Sequence, residues 1–454
     1  MQEVSVHMFA PHRPWMSLSL AVLVAGIGGA VAAAPVAAAG HTYVVSSSSD
    51  KPDRKVGDHI CDVTKSSSTT VCTLRAAIME ANADADADRI RFAITGGSSA
   101  VKTIKPASAL PVISEPLVID GTTQSGATLN TAATGTNARM RIVLDGSDAG
   151  NVPGLQASAT VTIKGLVIGG FARGIQLSGG SDGSRILGDF IGTDGTGRLD
   201  RGNSGSGILV NSEDVRIGSV ARGDRNLVSG NDSAGISLGI AARSAIIQDS
   251  LIGTKRDGQS ALANRGDGIF VTGSSHHLIG GAIAGQGNII RSNHGSGVNL
   301  IAITSPSLDL TPQSIQILGN SISHNVGLGI DLGGDGVTHN DKVPDADAGA
   351  NRLQNKPSVA SAVVSASNTT IKGSIASRRD RTYRIELFQS DAGDPEGRAF
   401  LGSVQVTTGS TGKATWTFKP GARLALGTVI TATATDTVRL ETSEFSPART
   451  VSNP

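Results

Sequence analysis

From residue 160 to residue 332 the chain repeats one arrangement of apolar and polar positions. A six-residue box with polar or glycine ends and an apolar middle begins at Gly165 (GLVIGG), Asp189 (DFIGTD), Asn226 (NLVSGN), Asp249 (DSLIGT), Asn288 (NIIRSN) and Asn320 (NSISHN). A glycine and a β-branched residue follow each box: Gly174-Ile175, Gly207-Ile208, Gly235-Ile236, Gly268-Ile269, Gly297-Val298 and Gly329-Ile330. From box start to that glycine the distances are 9, 18, 9, 19, 9 and 9 residues. After the glycine the pattern alternates, as in Ile175-Gln176-Leu177 and Ile330-Asp331-Leu332. Period two predicts strands with one buried face. A unit of about 23 residues cannot bury such a face alone, whereas stacked units can, so the repeat predicts a parallel β-solenoid. At about 4.8 Å per rung, six units span roughly 24 Å.

Three features refine this column. Asn226, Asn288 and Asn320 share one place in their units, and Asn231, Asn293 and Asn325 share another. Both sets are expected to stack as amide ladders at turns. Two units carry inserts at one corner, TDGTGRLDRGNSGS (193–206) and TKRDGQSALANRGD (254–267), with one insert-free unit between them. Two loops from one corner should share one side, so Asp194, Arg198, Asp200, Arg201, Lys255, Arg256, Asp257 and Arg265 form the candidate ligand-binding rim. The plain alternative is a pair of solvated loops.

At the N-terminal side, Leu74, Ile78 and Ala81 have helical spacing and Thr73 stands as N-cap, which predicts a short helix that plugs the open end, within an N-terminal cap with a disulfide loop assigned to 40–87. DRIRFAI, KTIKPASALPVISEPLVIDGT and RMRIVLDGS read as further strands, so the β-helix is assigned to 88–350. From Pro357 to the end, alternating runs such as TYRIELFQS, GKATWTFKP and TVITATATD predict a small β-sandwich of immunoglobulin-like shape, with Trp416 in its core. The expected fold class is therefore all-β.

Composition adds context. The chain has 454 residues, formal charge +1, 58 glycines and 3% aromatics. No global field draws it to nucleic acid or to a membrane surface. MSLSLAVLVAGIGGAVAAAPVAAAG reads as an export signal within 1–39, and no later segment is apolar enough to span a bilayer. Export implies an oxidising destination, secreted or at the cell envelope, where Cys61 and Cys72 are expected to pair. A monomer is expected.

Between column and sandwich lies DLGGDGVTHNDKVPDADAGAN (331–351). Asp331, Asp335, Asp341, Asp345 and Asp347 are its candidate calcium ligands, although neither the EF-hand spacing nor a calcium nonapeptide is present. A plain polar linker and a catalytic carboxylate cluster are the other readings. His276, His277, His294, His324 and His339 are candidate catalytic histidines. No Ser-His-Asp order, P-loop or zinc spacing accompanies them.

CTLRAAIMEANA resembles the CSLREA-type N-terminal motif of exported bacterial proteins with right-handed parallel β-helices. ALPVISEPLVIDGTTQSG, GNIIRSN, IGT and GIDLGGDGVTHND are similar to repeats of that family. The resemblance spans 42 to 454. Thr73 and Ala76 stand where the motif's name has serine and glutamate, which removes the side-chain partner of a capping box. The resemblance implies a pectin-lyase-like superhelix at or beyond the envelope. It implies no single activity, since such columns serve lyases, epimerases, adhesins and stalks. Binding or adhesion towards polysaccharide or cell-surface glycan is the expected function. A lyase or epimerase acting on uronate polymers, with a calcium and an Arg or Lys base, is the first alternative, and a passive stalk the second.

Overall fold

A computed structural model describes residues 40–64, 70–97 and 100–454. The expected export signal, 1–39, lies outside them. Among the described residues there is one α-helix, Leu74–Ala81, and no helix long and apolar enough to cross a membrane.

Successive coils add one strand to each of three sheets, here called faces A, B and C. Face A runs from Thr42–Val45 through Asp88–Phe92, Leu117–Asp120 and Val161–Lys164 to Gln316–Leu318, nine strands in parallel register. Face B begins at Lys102–Ile104 and Ile142–Asp145 and takes one strand from each of the six boxes. Face C has seven strands, from Pro153–Ala157 to Ile330–Leu332, and takes the six glycine-led strands. This arrangement is consistent with an all-β parallel solenoid. Parallel pairing starts with Thr42–Val45, ahead of residue 88.

The core is a stack of like on like. Ile163, Ile186, Ile217, Ile247 and Ile279 line the inside of face A, and Ile168, Ile191, Val228, Ile252 and Ile290 that of face B. On face C, Ile175, Ile236 and Val298 are 1%, 0% and 0% exposed, which puts the period-two residues inside. Glycine is required where coils turn after face B: Gly192 has φ +87°, and a Cβ there would meet the Ser229 carbonyl oxygen at 2.3 Å.

The asparagine ladder at the B-to-C corner is longer than the repeat alone suggests. Asn203 Nδ2 donates to Asn231 Oδ1, Asn231 to Asn264, Asn264 to Asn293 and Asn293 to Asn325, each at 2.9 Å. Both inserts return to the column through a ladder asparagine, Asn203 and Asn264, so each loop is extruded without breaking the stack. The second ladder holds Asp189, Asn226, Ser250, Asn288 and Asn320. Its register places Ser250, not Asp249, in line, because one extra residue at Asp249 is absorbed by a left-handed backbone (φ +44°).

The helix forms as expected. Thr73 Oγ1 accepts from the Ala76 amide at 3.1 Å, and Leu74, Ala77, Ile78 and Ala81 are buried under the first coils. Cys61 and Cys72 form a disulfide with Cα atoms 5.1 Å apart. After residue 357 two antiparallel sheets share one apolar cluster that includes Trp416, Tyr383 and Ile430. The stretch Ser443–Pro447 lies between the short strands Glu441–Thr442 and Arg449–Thr450 and packs Phe445 against the last coil.

Candidate functional site

The outer side of face B is unusually apolar. Val143, Val167, Phe190, Leu227, Leu251 and Ile289 point away from the core, one per coil. A strap, residues 127–140, climbs this surface and covers part of it with Ala138 and Met140. Arg225 holds the strap: its guanidinium donates to the carbonyls of Ala132 (3.2 Å), Ala133 (3.2 Å) and Gly135 (2.5 Å) and pairs with Asp249 at 2.5 Å. Arg256 does the same from the second insert, donating to Thr136 O (2.8 Å), Ala138 O (3.1 Å) and, in the first insert, Thr196 O (3.2 Å).

Below the strap the surface stays open as a groove of about 460 Å³. Val143 and Val167 form its floor. Asp145 and Ser147 stand on one side, and Thr193, Asp194, Asp200 and Arg201 of the first insert on the other. Burial works to raise the Asp194 carboxyl. Hydrogen bonds from the Leu199 amide, the Thr196 hydroxyl and the Arg198 amide outweigh it and hold the group below its ordinary value. Asp145 is likewise held down against burial by the Ser147 amide and by Lys105, 3.2 Å away. Both therefore stay ionised near neutrality and present oxygen acceptors over an apolar floor.

The eight rim residues thus separate. Asp194, Asp200 and Arg201 line the groove. Arg256 is engaged between strap and inserts. Asp257 closes its own loop by accepting from Gln259, Ser260 and the Ser260 hydroxyl. Arg265 pairs with Asp232 at 3.1 Å on the neighbouring turn. Arg198 is exposed and Lys255 half-buried. The inserts do share one side and touch directly, the Arg256 amide donating to Gly197 O at 2.8 Å. The strap and the Asp145 side of the groove were not foreseen. A signal for Asp145 existed in the paired I-D-G-T (119–122) and L-D-G-S (144–147), where Asp120 and Asp145 each accept from the amide two residues on.

The junction acids also separate. Asp331 Oδ1 accepts from Gly334 N at 3.0 Å on face C, and Asp335 lies beside Gly333. Asp341, Asp345 and Asp347 bring one carboxylate oxygen each within 4.8 Å of the others. Asp345 is 0% exposed; its Oδ2 accepts from Ser377, Gln354 and Asn355, and its Oδ1 has no partner. Asp347 Oδ1 is buried and unpartnered too. Burial, opposed by the Ser377 hydroxyl, pushes the Asp345 carboxyl up to about 6.

Of the histidines, His277 is part of the packing. Its Nδ1 accepts from the Ala245 amide at 3.1 Å, its Nε2 lies 3.1 Å from Ser274 Oγ, and burial drives it down to about 3, so the ring is neutral. His324 lies 3.2 Å from Asp394 at the junction, and His276, His294 and His339 are exposed. A scan against protein-family models finds no match, and a search of curated proteins finds none.

Proposed function

We propose that this chain is an exported, right-handed parallel β-helix protein of the CSLREA-like, pectin-lyase-like type, with an immunoglobulin-like C-terminal module, and that it binds glycan. The groove beside the first insert carries this reading. Ionised acceptors at Asp145 and Asp194 over the apolar strip Val143–Val167 suit a sugar, which offers hydroxyl donors on its edges and C–H surface on its faces. The same ionised carboxylates repel a polyanion, which favours a neutral glycan and adhesion over uronate chemistry. Calcium belongs to the junction in this reading. Asp341, Asp345 and Asp347 hold it between the 331–351 loop and the C-terminal module, where Asp345 has a buried oxygen to give.

A glycan array at low salt, followed by calorimetry on the best ligand, tests the groove. The wild-type protein is expected to bind, and the Asp200→Asn/Arg201→Ala variant to bind about tenfold more weakly with unchanged melting. A wild-type protein that binds no glycan, or a variant that binds equally well, refutes the groove. Incubation with pectin or alginate distinguishes the lyase: steady growth of unsaturated-sugar absorbance that needs Arg201 would make this an enzyme.

A further inference from the structure

A second cluster lies at the other end of the column, where no ligand was anticipated. His41 immediately precedes the first strand, Thr42–Val45. His59 lies two residues before Cys61 of the disulfide, and Asp84 and Asp88 flank the link from the helix to Asp88–Phe92. The His41 and His59 rings stack with centroids 4.2 Å apart. Asp84 Oδ2 lies 3.2 Å from His59 Nδ1 and 3.8 Å from His41 Nδ1, and Asp88 Oδ1 lies 3.8 Å from His41 Nδ1. Neither His41 Nδ1 nor Asp84 Oδ2 makes a hydrogen bond, although both atoms are buried, and Asp88 Oδ2 is also unpartnered.

From this convergence we propose that His41, His59 and Asp84 form a Zn²⁺ site that ties three segments of the N-terminal cap together, with solvent in the fourth position and Asp88 holding the His41 backbone by accepting from its amide at 2.5 Å. Ligands about 2.1 Å from a tetrahedral zinc stand roughly 3.4 Å apart, close to the separations seen. Two imidazoles with a carboxylate select a borderline transition metal over calcium. His59 is held with φ +61°, a left-handed backbone that turns its ring towards the cluster. The metal would act as a second staple beside Cys61–Cys72. Side-chain exposures of 38% and 45% for His41 and His59 leave it open to exchange with solvent.

The test is titration of the chelator-treated full chain with Zn²⁺ by calorimetry, repeated with Co²⁺ while recording its visible spectrum. One equivalent is expected to bind, and Co²⁺ to show the intense absorption of a tetrahedral site. His59→Ala and Asp84→Asn, which alter partly exposed side chains, are expected to weaken Zn²⁺ at least tenfold. His324→Ala, at the separate junction cluster with Asp391 and Asp394, is expected to leave it unchanged. Absence of stoichiometric binding, or binding indifferent to His59→Ala and Asp84→Asn, overturns the site. Circular dichroism of both variants separates lost metal from lost fold.

Discussion

At the residue scale the second ladder, Asp189 to Asn320, carries one misfit. Asn226, Asn288 and Asn320 each donate Nδ2 to an isoleucine carbonyl of an earlier coil (Ile186, Ile247 and Ile279, at 2.8–2.9 Å) and accept on Oδ1 from the backbone. Asp189 fills the same rung, accepts from Leu166 N at 2.8 Å, and leaves Oδ2 buried with no partner. Burial pushes its carboxyl from 3.8 up to about 8. Unfolded, the group releases its proton near pH 4; folded, it keeps it until about pH 8. The unfolded chain thus binds fewer protons across that window, and the stability of the wild-type protein falls as pH rises through it. Asp189→Asn has no proton to lose and supplies the missing donor. It should stabilise the fold by roughly 2 kcal/mol at neutral pH. The gain in melting temperature should be small at pH 4.5, larger at pH 7 and constant above pH 8. A gain that does not grow with pH would contradict the assignment. The ladder asparagines were legible because identical amides recur at one spacing. Ser250 is not legible as a ladder member because the extra residue at Asp249 leaves the box pattern intact while shifting its register.

At the element scale, what could be read tracks how many buried positions a strand contributes. Faces B and C are legible because five of the six boxes hold at least two successive apolar residues and each glycine-led strand has two inward ones. Within the repeat, face A strands bury a single isoleucine per coil (Ile186, Ile217, Ile247), too short a run to show period two. The strap was illegible for the opposite reason. TLNTAATGTNARM (128–140) is small and polar and holds its place through backbone carbonyls bound by Arg225 and Arg256, partners about 90 to 120 positions away. This makes Arg225 the element's latch. Arg225→Ala should free the strap, expose Phe190, Leu227 and Leu251, and leave Asp249 buried without its cation. The cost should be about 3 kcal/mol, with a rise in binding of a hydrophobic dye. Adding Asp249→Asn removes the stranded charge and should recover part of the stability while the dye signal stays high. If the single variant melts like the wild-type protein, the strap is not held as described.

At the scale of the whole molecule, the open end of the column is closed by acids and hydroxyls of the C-terminal module. Glu386 accepts from Gly319 N (2.8 Å) and Thr442 Oγ1 from Ile317 N (2.9 Å). Glu396 receives the Asn325 amide and its side chain (both 3.2 Å), which terminates the asparagine ladder that runs from Asn203 to Asn325. Glu444 accepts from Leu332 N (3.3 Å) and pairs with Lys356 at 2.9 Å. On faces A and C the last rungs thus meet fixed acceptors, and on face B Ser321–Ser323 pairs antiparallel with Asp394–Thr407, so no strand edge of the last coil is left for another chain. The two parts are joined covalently only through the 331–351 loop and the segment that follows it, so calcium at Asp341, Asp345 and Asp347 should act on docking, not on either core. At a hundredfold excess over its dissociation constant, Ca²⁺ would add about 2.7 kcal/mol to the docked form. Limited proteolysis within 333–350 should therefore slow on adding Ca²⁺ and return to its former rate with chelator. Asp345→Asn should abolish the calcium response yet be no less stable than the wild-type protein in chelator, because it removes a buried, half-satisfied carboxylate. A wild-type loop cleaved at the same rate with and without Ca²⁺, or a variant still protected by it, would assign this stretch to a polar linker whose acids serve only the turn.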